Sequence, residues 1–282
     1  SSTAYTLTER LLTESRVLWS YASWTLFPDN QSLGLFHDDI IISKGLIDPI
    51  STLLAVLGHF GVIASTVYLW FRKQLPIIVF GVMLFYASHL MESTIIALEL
   101  VHEHRNYVGS FGIIFAFVGA LALEQEKWRR VLCLVASVYV IFLIFVTVQR
   151  ASGWGNGLES ALIEAEHHPQ SSAAHYEVGR QYTALIEYGE FKEKAEAAFL
   201  QAAATDKNRA NAFFALVIMS ARRKESIESK LIDELSSRLR LGPIYAGHAN
   251  GLKALLDCYK DKECLIEQGV LMAILQAALD NP

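Results

Sequence analysis

The stretch ISTLLAVLGHFGVIASTVYLWF, Ile50 to Phe71, decides the fold. His59 is its only ionisable group apart from a tyrosine, and Arg72-Lys73 end it. At about 1.5 Å per helical residue such a run matches a hydrocarbon core of roughly 30 Å. Three more runs follow: Pro76 to Leu90, Val108 to Leu123, and Val131 to Val148. Their apolar residues are continuous and lack amphipathic spacing, which is the pattern of lipid-facing helices. With 52% hydrophobic residues overall, the chain is expected to be all-α: four transmembrane helices in residues 50–150, followed by a helical domain.

Loop charge sets the expected orientation. Arg72 and Lys73 join the first two runs, and Lys127, Arg129 and Arg130 join the last two. The positive-inside rule places both loops on the cytoplasmic side. Residues 1–49, the 99–107 loop and residues 151–282 then face outward. That side is the periplasm for a bacterial inner membrane, or the lumen for an endoplasmic reticulum protein. The chain begins at Ser1 without an initiator Met or signal peptide and is expected to be a processed product or a piece of something longer.

Within residues 1–49, Leu11, Leu12, Val17, Leu18, Trp19, Tyr21, Trp24, Leu26 and Phe27 make one apolar face, with Glu9, Arg10, Glu14 and Arg16 polar. The pattern predicts an interfacial helix ended by Pro28-Asp29-Asn30, or else a helix packed on the soluble domain. Beyond Gly153 the chain turns polar. His175-Tyr176-x-x-Gly179-x-x-Tyr182, then Ala195-x-x-x-Phe199-x-x-Ala202, alternates small and large residues as two closing helices of a tetratricopeptide unit do. Residues 151–282 are therefore expected to form a tetratricopeptide-like α-solenoid. Further helices are expected over Arg209–Arg222, Ser226–Leu241, Ile244–Tyr259 and Glu263–Leu279. A solenoid's default task is to bind a protein.

A net charge of -5 without a basic block excludes nucleic acid as the natural partner. Cys258 and Cys264 flank a short polar turn. They read as a disulfide in an oxidising compartment, or as two ordinary helix cysteines. No zinc-ligand spacing, phosphate loop or nucleophile elbow is present.

Two polar clusters border the outward ends of the apolar runs. One is His37-Asp38-Asp39; the other comprises Glu92, Glu99, Glu103, His104, Arg105 and Tyr107. Charge beside apolar spans is costly unless paired or bound to a ligand. Arg105 offers forked donors to a phosphate, and His104 exchanges a proton near neutral pH. A lipid-phosphate site would need this combination. The other reading is structural, with Glu99 or Glu103 paired to Arg105. His59 reads as a neutral packing residue, or as part of a proton path.

The order of these pieces is similar to that of a known family. Phe27-Pro-Asp-Asn30, His37-Asp38, Ser43-x-x-Leu-x-Asp-Pro49, Glu92-Ser-Thr-Ile-Ile96 and Glu103-His-Arg-Asn-Tyr107 precede the repeats. From about Thr8 to Ala204 the chain resembles the C-terminal half of GT-C-type membrane glycosyltransferases with tetratricopeptide repeats. These include the transmembrane and tetratricopeptide repeat O-mannosyltransferases and their bacterial relatives. Phe36 stands where relatives often carry an acid, and Val108-Gly109 replaces a usual Leu-Pro.

The resemblance implies a polyprenyl-phosphate-linked sugar as donor and a protein acceptor recruited by the repeats. It places the catalytic acidic pair in an N-terminal half outside these residues, and leaves a divalent metal open. Glu103, His104, Arg105, Tyr107, His37 and Asp38 are then expected on the donor-phosphate side, supported by Glu92 and Glu99. The rival expectation is a non-catalytic, membrane-anchored scaffold that assembles an envelope complex through its repeats.

Overall fold

In the computed structural model of the chain, each long apolar run forms a helix over its described residues. The structure describes residues 5–91, 93, 100–121, 126–185, 191–243, 246–261 and 264–281. Among them are twelve α-helices and one 3-10 turn, with no strand. The chain divides into two units, Tyr5–Trp154 and Gly155–Pro282.

In the first unit, α1 (Leu7–Leu26) opens on a reciprocal cap. The Glu9 N–H donates to the Thr6 hydroxyl at 3.3 Å, and the Glu9 carboxylate accepts from the Thr6 N–H at 2.7 Å. The helix ends at Phe27, just before Pro28, which would withhold a backbone donor. It does not merely rest on a surface: it packs on α2 (Ile50–Phe71) and α4 (Asn106–Leu121). Trp19 Nε1 donates to the Ala55 carbonyl at 3.1 Å, and its ring stacks on His59 at 5.0 Å. His59 Nε2 meets the Ser15 carbonyl at 2.8 Å, and Nδ1 meets the Tyr86 hydroxyl at 2.7 Å. A carbonyl only accepts, so Nε2 carries the proton and Nδ1 receives the tyrosine's. His59 is thus a pin between three helices.

The connection from α1 to α2 is anchored by hydroxyls. The Ser43 N–H donates to Thr13 Oγ1 at 2.8 Å, and the Ser43 and Thr52 hydroxyls meet at 2.8 Å, all buried. Arg16 donates to the Ile41 carbonyl at 2.7 Å.

α2 and the Arg130–Gly153 part of α5 (Glu126–Gly153) are long and apolar enough to cross a bilayer. α3 (Pro76–His89) has 14 residues and α4 has 16. At about 1.5 Å per residue α3 reaches about 21 Å, short of the roughly 30 Å core. Among the described residues two of the four expected spans have the length, α3 is shorter, and α4 is described only as far as Leu121. The expected end of the third span, near Leu123, lies outside the described residues. α5 also continues past the expected end at Val148, carrying Gln149 and Arg150 in its final turns.

α3 and α4 make the most extensive helix contact of this unit. Gly81 and Gly112 permit it. A methyl group on Gly81 would stand 2.5 Å from the Gly112 carbonyl oxygen, and one on Gly112 equally close to that of Gly81. Residues without a side chain let two helix backbones approach this closely.

The second unit is a helical assembly of α6 (Gly157–His167), α7 (Ser172–Ala184), α8 (Lys192–Thr205), α9 (Asn211–Arg222), α10 (Ser229–Leu241), α11 (Ala246–Lys260) and α12 (Gln268–Leu279). Asn156 and Ser171 cap α6 and α7 with side-chain oxygens. α7 and α8 close antiparallel, with the Ser172 hydroxyl donating to the Ala202 carbonyl at 2.8 Å. The absent side chain of Gly179 makes room for the Phe199 ring, 2.6 Å from where a methyl would sit. α9 is buried on most of its circumference, with Phe214 and Val217 at the centre of the core.

Arg238 ties α8 to α10: it donates to the carbonyls of Ala203 (2.9 Å), Asp206 (2.8 Å) and Arg209 (2.8 Å), and its guanidinium lies 4.5 Å from the Phe213 ring centroid. Cys258 and Cys264 form a disulfide, with their Cα atoms 5.4 Å apart, between α11 and the segment leading to α12. The Leu265 N–H donates to the Ala221 carbonyl at 2.9 Å, which holds that segment against the end of α9.

Candidate functional site

The site is built around the 3-10 turn Glu103–Arg105, which leads directly into α4. Backbone bonds from α1 fix the turn. The Tyr21 hydroxyl accepts from the His102 N–H at 2.8 Å and donates to the His102 carbonyl at 3.2 Å. Asn106 donates to the Tyr21 carbonyl at 3.2 Å and to Thr25 Oγ1 at 3.1 Å. Tyr21 is 3% exposed, so the turn rests on a buried support.

Glu103 points into a clasp. Its carboxylate accepts from the Gly34 N–H at 2.6 Å and from Arg150 at 2.9 Å, and lies 3.3 Å from His37 Nε2. Trp24 stacks on the His37 ring at 5.3 Å. Partial burial pushes the Glu103 carboxyl up, but the His37 bond, the Arg150 charge and the Gly34 N–H outweigh it. The net effect holds Glu103 below the ordinary carboxylate range. Nearby, Asn30 donates to Gln149 at 3.2 Å, and the Tyr139 hydroxyl donates to the Leu26 carbonyl. The last turns of α5 are thereby joined to the segment after α1.

The structure thus brings His37 and Glu103 together and adds Arg150 to them; the alternative pairing of Glu99 with Arg105 falls on a residue outside the described ones. Glu103 engages Arg150, because α5 runs on past Val148 and delivers a guanidinium to it. His104 is exposed, its ring 4.8 Å from that of His102. Arg105 is half-buried at the end of the turn, and Tyr107 is 69% exposed, its ring edge-on to Phe111. Asp38 is exposed. Glu92 and Glu99 lie outside the described residues. Among the described residues no three His, Cys, Asp or Glu side chains converge as a metal site.

Sequence reasoning missed Arg150, Tyr21 and Asn106 as members of the site. Arg150 had one signal: a lone cation closing an apolar run, with acids in the segment before Asn106. Tyr21 and Asn106 had none, because each acts through backbone contacts set by tertiary packing. The chain matches no family model, no curated protein and no solved structure.

Proposed function

We propose that this chain is the C-terminal portion of a polyprenyl-phosphate-sugar-dependent protein glycosyltransferase. In this reading residues 50–150 form four membrane-embedded helices, with α3 and α4 packed as a close pair. Residues 151–282 are a tetratricopeptide-like domain on the outer side that presents the protein acceptor. The turn at Glu103–Arg105 is the donor-phosphate side of the site. One observation carries it: Glu103 is drawn inward by Arg150 and the Gly34 N–H, while His104 and Tyr107 stay exposed beside Arg105. The charge of the acid is matched within the clasp, which leaves the exposed His104 to face negative charge that develops as a phosphate leaves.

The test is binding of a long-chain polyprenyl monophosphate to the full chain in detergent. His104→Ala and Arg105→Ala are each expected to weaken it at least tenfold with helix content unchanged. Affinity equal to the unaltered protein in both variants would defeat the reading.

A membrane-anchored scaffold is the second reading, supported by exposed apolar side chains on the repeat unit. Leu241 and Leu279 are 85% and 78% exposed at the ends of α10 and α12, beside Asn281, which donates to the Leu239 and Gly242 carbonyls. If Leu241→Lys and Leu279→Lys release a co-purifying envelope protein while polyprenyl phosphate does not bind, the scaffold reading prevails.

A further inference from the structure

α2 and α3 are joined by the short turn at 72–75, yet α3 packs mainly on α4 and touches α2 sparingly. The two helices therefore leave a cleft of about 620 Å³ between them, closed on one side by Leu18 of α1. Its walls include Ile63, Val67 and Trp70 from α2, and Val82, Met83 and Leu90 from α3. Polar side chains are few along it: Thr66 and Tyr86 midway, and His89 and Ser93 toward the end away from Trp70. The Thr66 hydroxyl donates to the Val62 carbonyl at 2.8 Å, and the Tyr86 hydroxyl is bound to His59. A polar solute would find little to bond; a hydrocarbon chain loses nothing by entering.

One end of the cleft carries charge. The lining runs along α2 to Trp70 and Phe71, and the next residues are Arg72 and Lys73, both exposed. Among the described residues no carboxylate pairs with either; Arg72 lies over the Tyr68 ring, 5.9 Å from its centroid. The turn is fixed by the Lys73 N–H donating to the Trp70 carbonyl and the Gln74 N–H to the Leu69 carbonyl, both at 3.0 Å. Two cations are thus held where an apolar cleft ends. They lie at the opposite ends of α2 and α3 from the residues that lead toward Glu103–Arg105.

We infer that this cleft binds one anionic phospholipid, its acyl chain between α2 and α3 and its headgroup phosphate at Arg72 and Lys73. The inference rests on α2 crossing a bilayer and is independent of the glycosyltransferase reading. Surface potential and cation together select anionic over zwitterionic headgroups, at about fivefold per cation and about 25-fold for the pair.

The full chain in phosphatidylcholine vesicles, titrated with brominated-chain phosphatidylglycerol, tests this. The Trp70 contribution to fluorescence is isolated by subtracting that of the Trp70→Phe variant. Quenching of Trp70 should saturate at a low fraction of phosphatidylglycerol and shift about 25-fold to higher fractions in the Arg72→Gln/Lys73→Gln variant. Val82→Phe, which fills the cleft, should abolish the saturable component while far-ultraviolet circular dichroism stays unchanged. Equal quenching by brominated phosphatidylcholine, rising in proportion to its fraction, would overturn the site as ordinary surrounding lipid. Displacement by polyprenyl phosphate in preference to unbrominated phosphatidylglycerol would assign the cleft to a prenyl chain and overturn it too. Displacement by inorganic phosphate would show a headgroup site without a chain. Flotation of the chain with the vesicles reads the bilayer premise separately.

Discussion

Glu103 and Arg150, 47 positions apart, meet at 2.9 Å with about a quarter of each side chain exposed. The pair joins the turn before α4 to the last turns of α5, and the Gly34 N–H shares the same carboxylate. Glu103→Gln keeps the shape and removes the charge. It is expected to cost about 1–2 kcal/mol, between the values for exposed pairs and for charge-assisted bonds. Thermal unfolding in detergent measures this.

The same clasp has a defined acid limit. Glu103 is held below its ordinary range when folded, so its contribution is present above the unfolded value, near pH 4. It is lost as pH falls through the lower folded value. Amide exchange of residues 100–106 should therefore accelerate on acidification in the unaltered protein, and show no such step in Glu103→Gln. An identical acid response in both would remove Glu103 from the account.

Gly81→Ala is expected to destabilise by at least about 1–3 kcal/mol, because its methyl has only backbone to meet. Gly61→Ala is the control: nothing lies within 4 Å of that position. It should be neutral or stabilising by about 0.5–1 kcal/mol, the ordinary gain of alanine over glycine within a helix. Thermal midpoints in one detergent compare the two directly.

In the second unit, Phe199→Ala should cost about 3–5 kcal/mol, since the ring is 2% exposed and fills the space above Gly179. Gly179→Leu alone should also destabilise, by pushing into that ring. Combining the two is expected to recover part of the loss, because the leucine then occupies the vacated volume. Amide exchange in α7 and α8 reports each step.

His248 is 4% exposed and accepts from the Ala210 N–H at 3.1 Å. Burial, then the Arg209 charge, lowers its pKa, with Asp206 opposing. A histidine so depressed costs nothing above its unfolded value near pH 6.5. Below that, it removes stability as pH falls toward the folded value. His248→Gln retains an acceptor without titrating, so the loss of α9–α11 packing on acidification should begin at lower pH. Tryptic susceptibility across pH tests it.

The legible part of this fold was the part written as continuous runs. Ile50–Phe71 needs no partner to declare itself, and the Gly179–Phe199 complementarity lies in a spacing that one helix pair satisfies locally. The short length of α3 was less visible, since an apolar run does not say where its helix stops. Glu103 was recognised as important, but its bond to Arg150 was not foreseen, because Arg150 comes near only once α5 has been extended. The face-to-face meeting of Gly81 and Gly112 left no trace at all. Each is one small residue in an apolar run, and only their apposition gives them meaning.

Tyr21 grips the backbone of His102, 81 residues further on, with both capacities of one hydroxyl. In a chain made from its N-terminus, α1 is finished before α2, α3 and the turn it supports exist. Its aromatic face must wait while two further helices are made. The turn then takes its shape by docking onto a helix already there. The entry to α4 is in this sense moulded, and a lesion in the first twenty-six residues would be felt as a misshapen turn at the far end of α3.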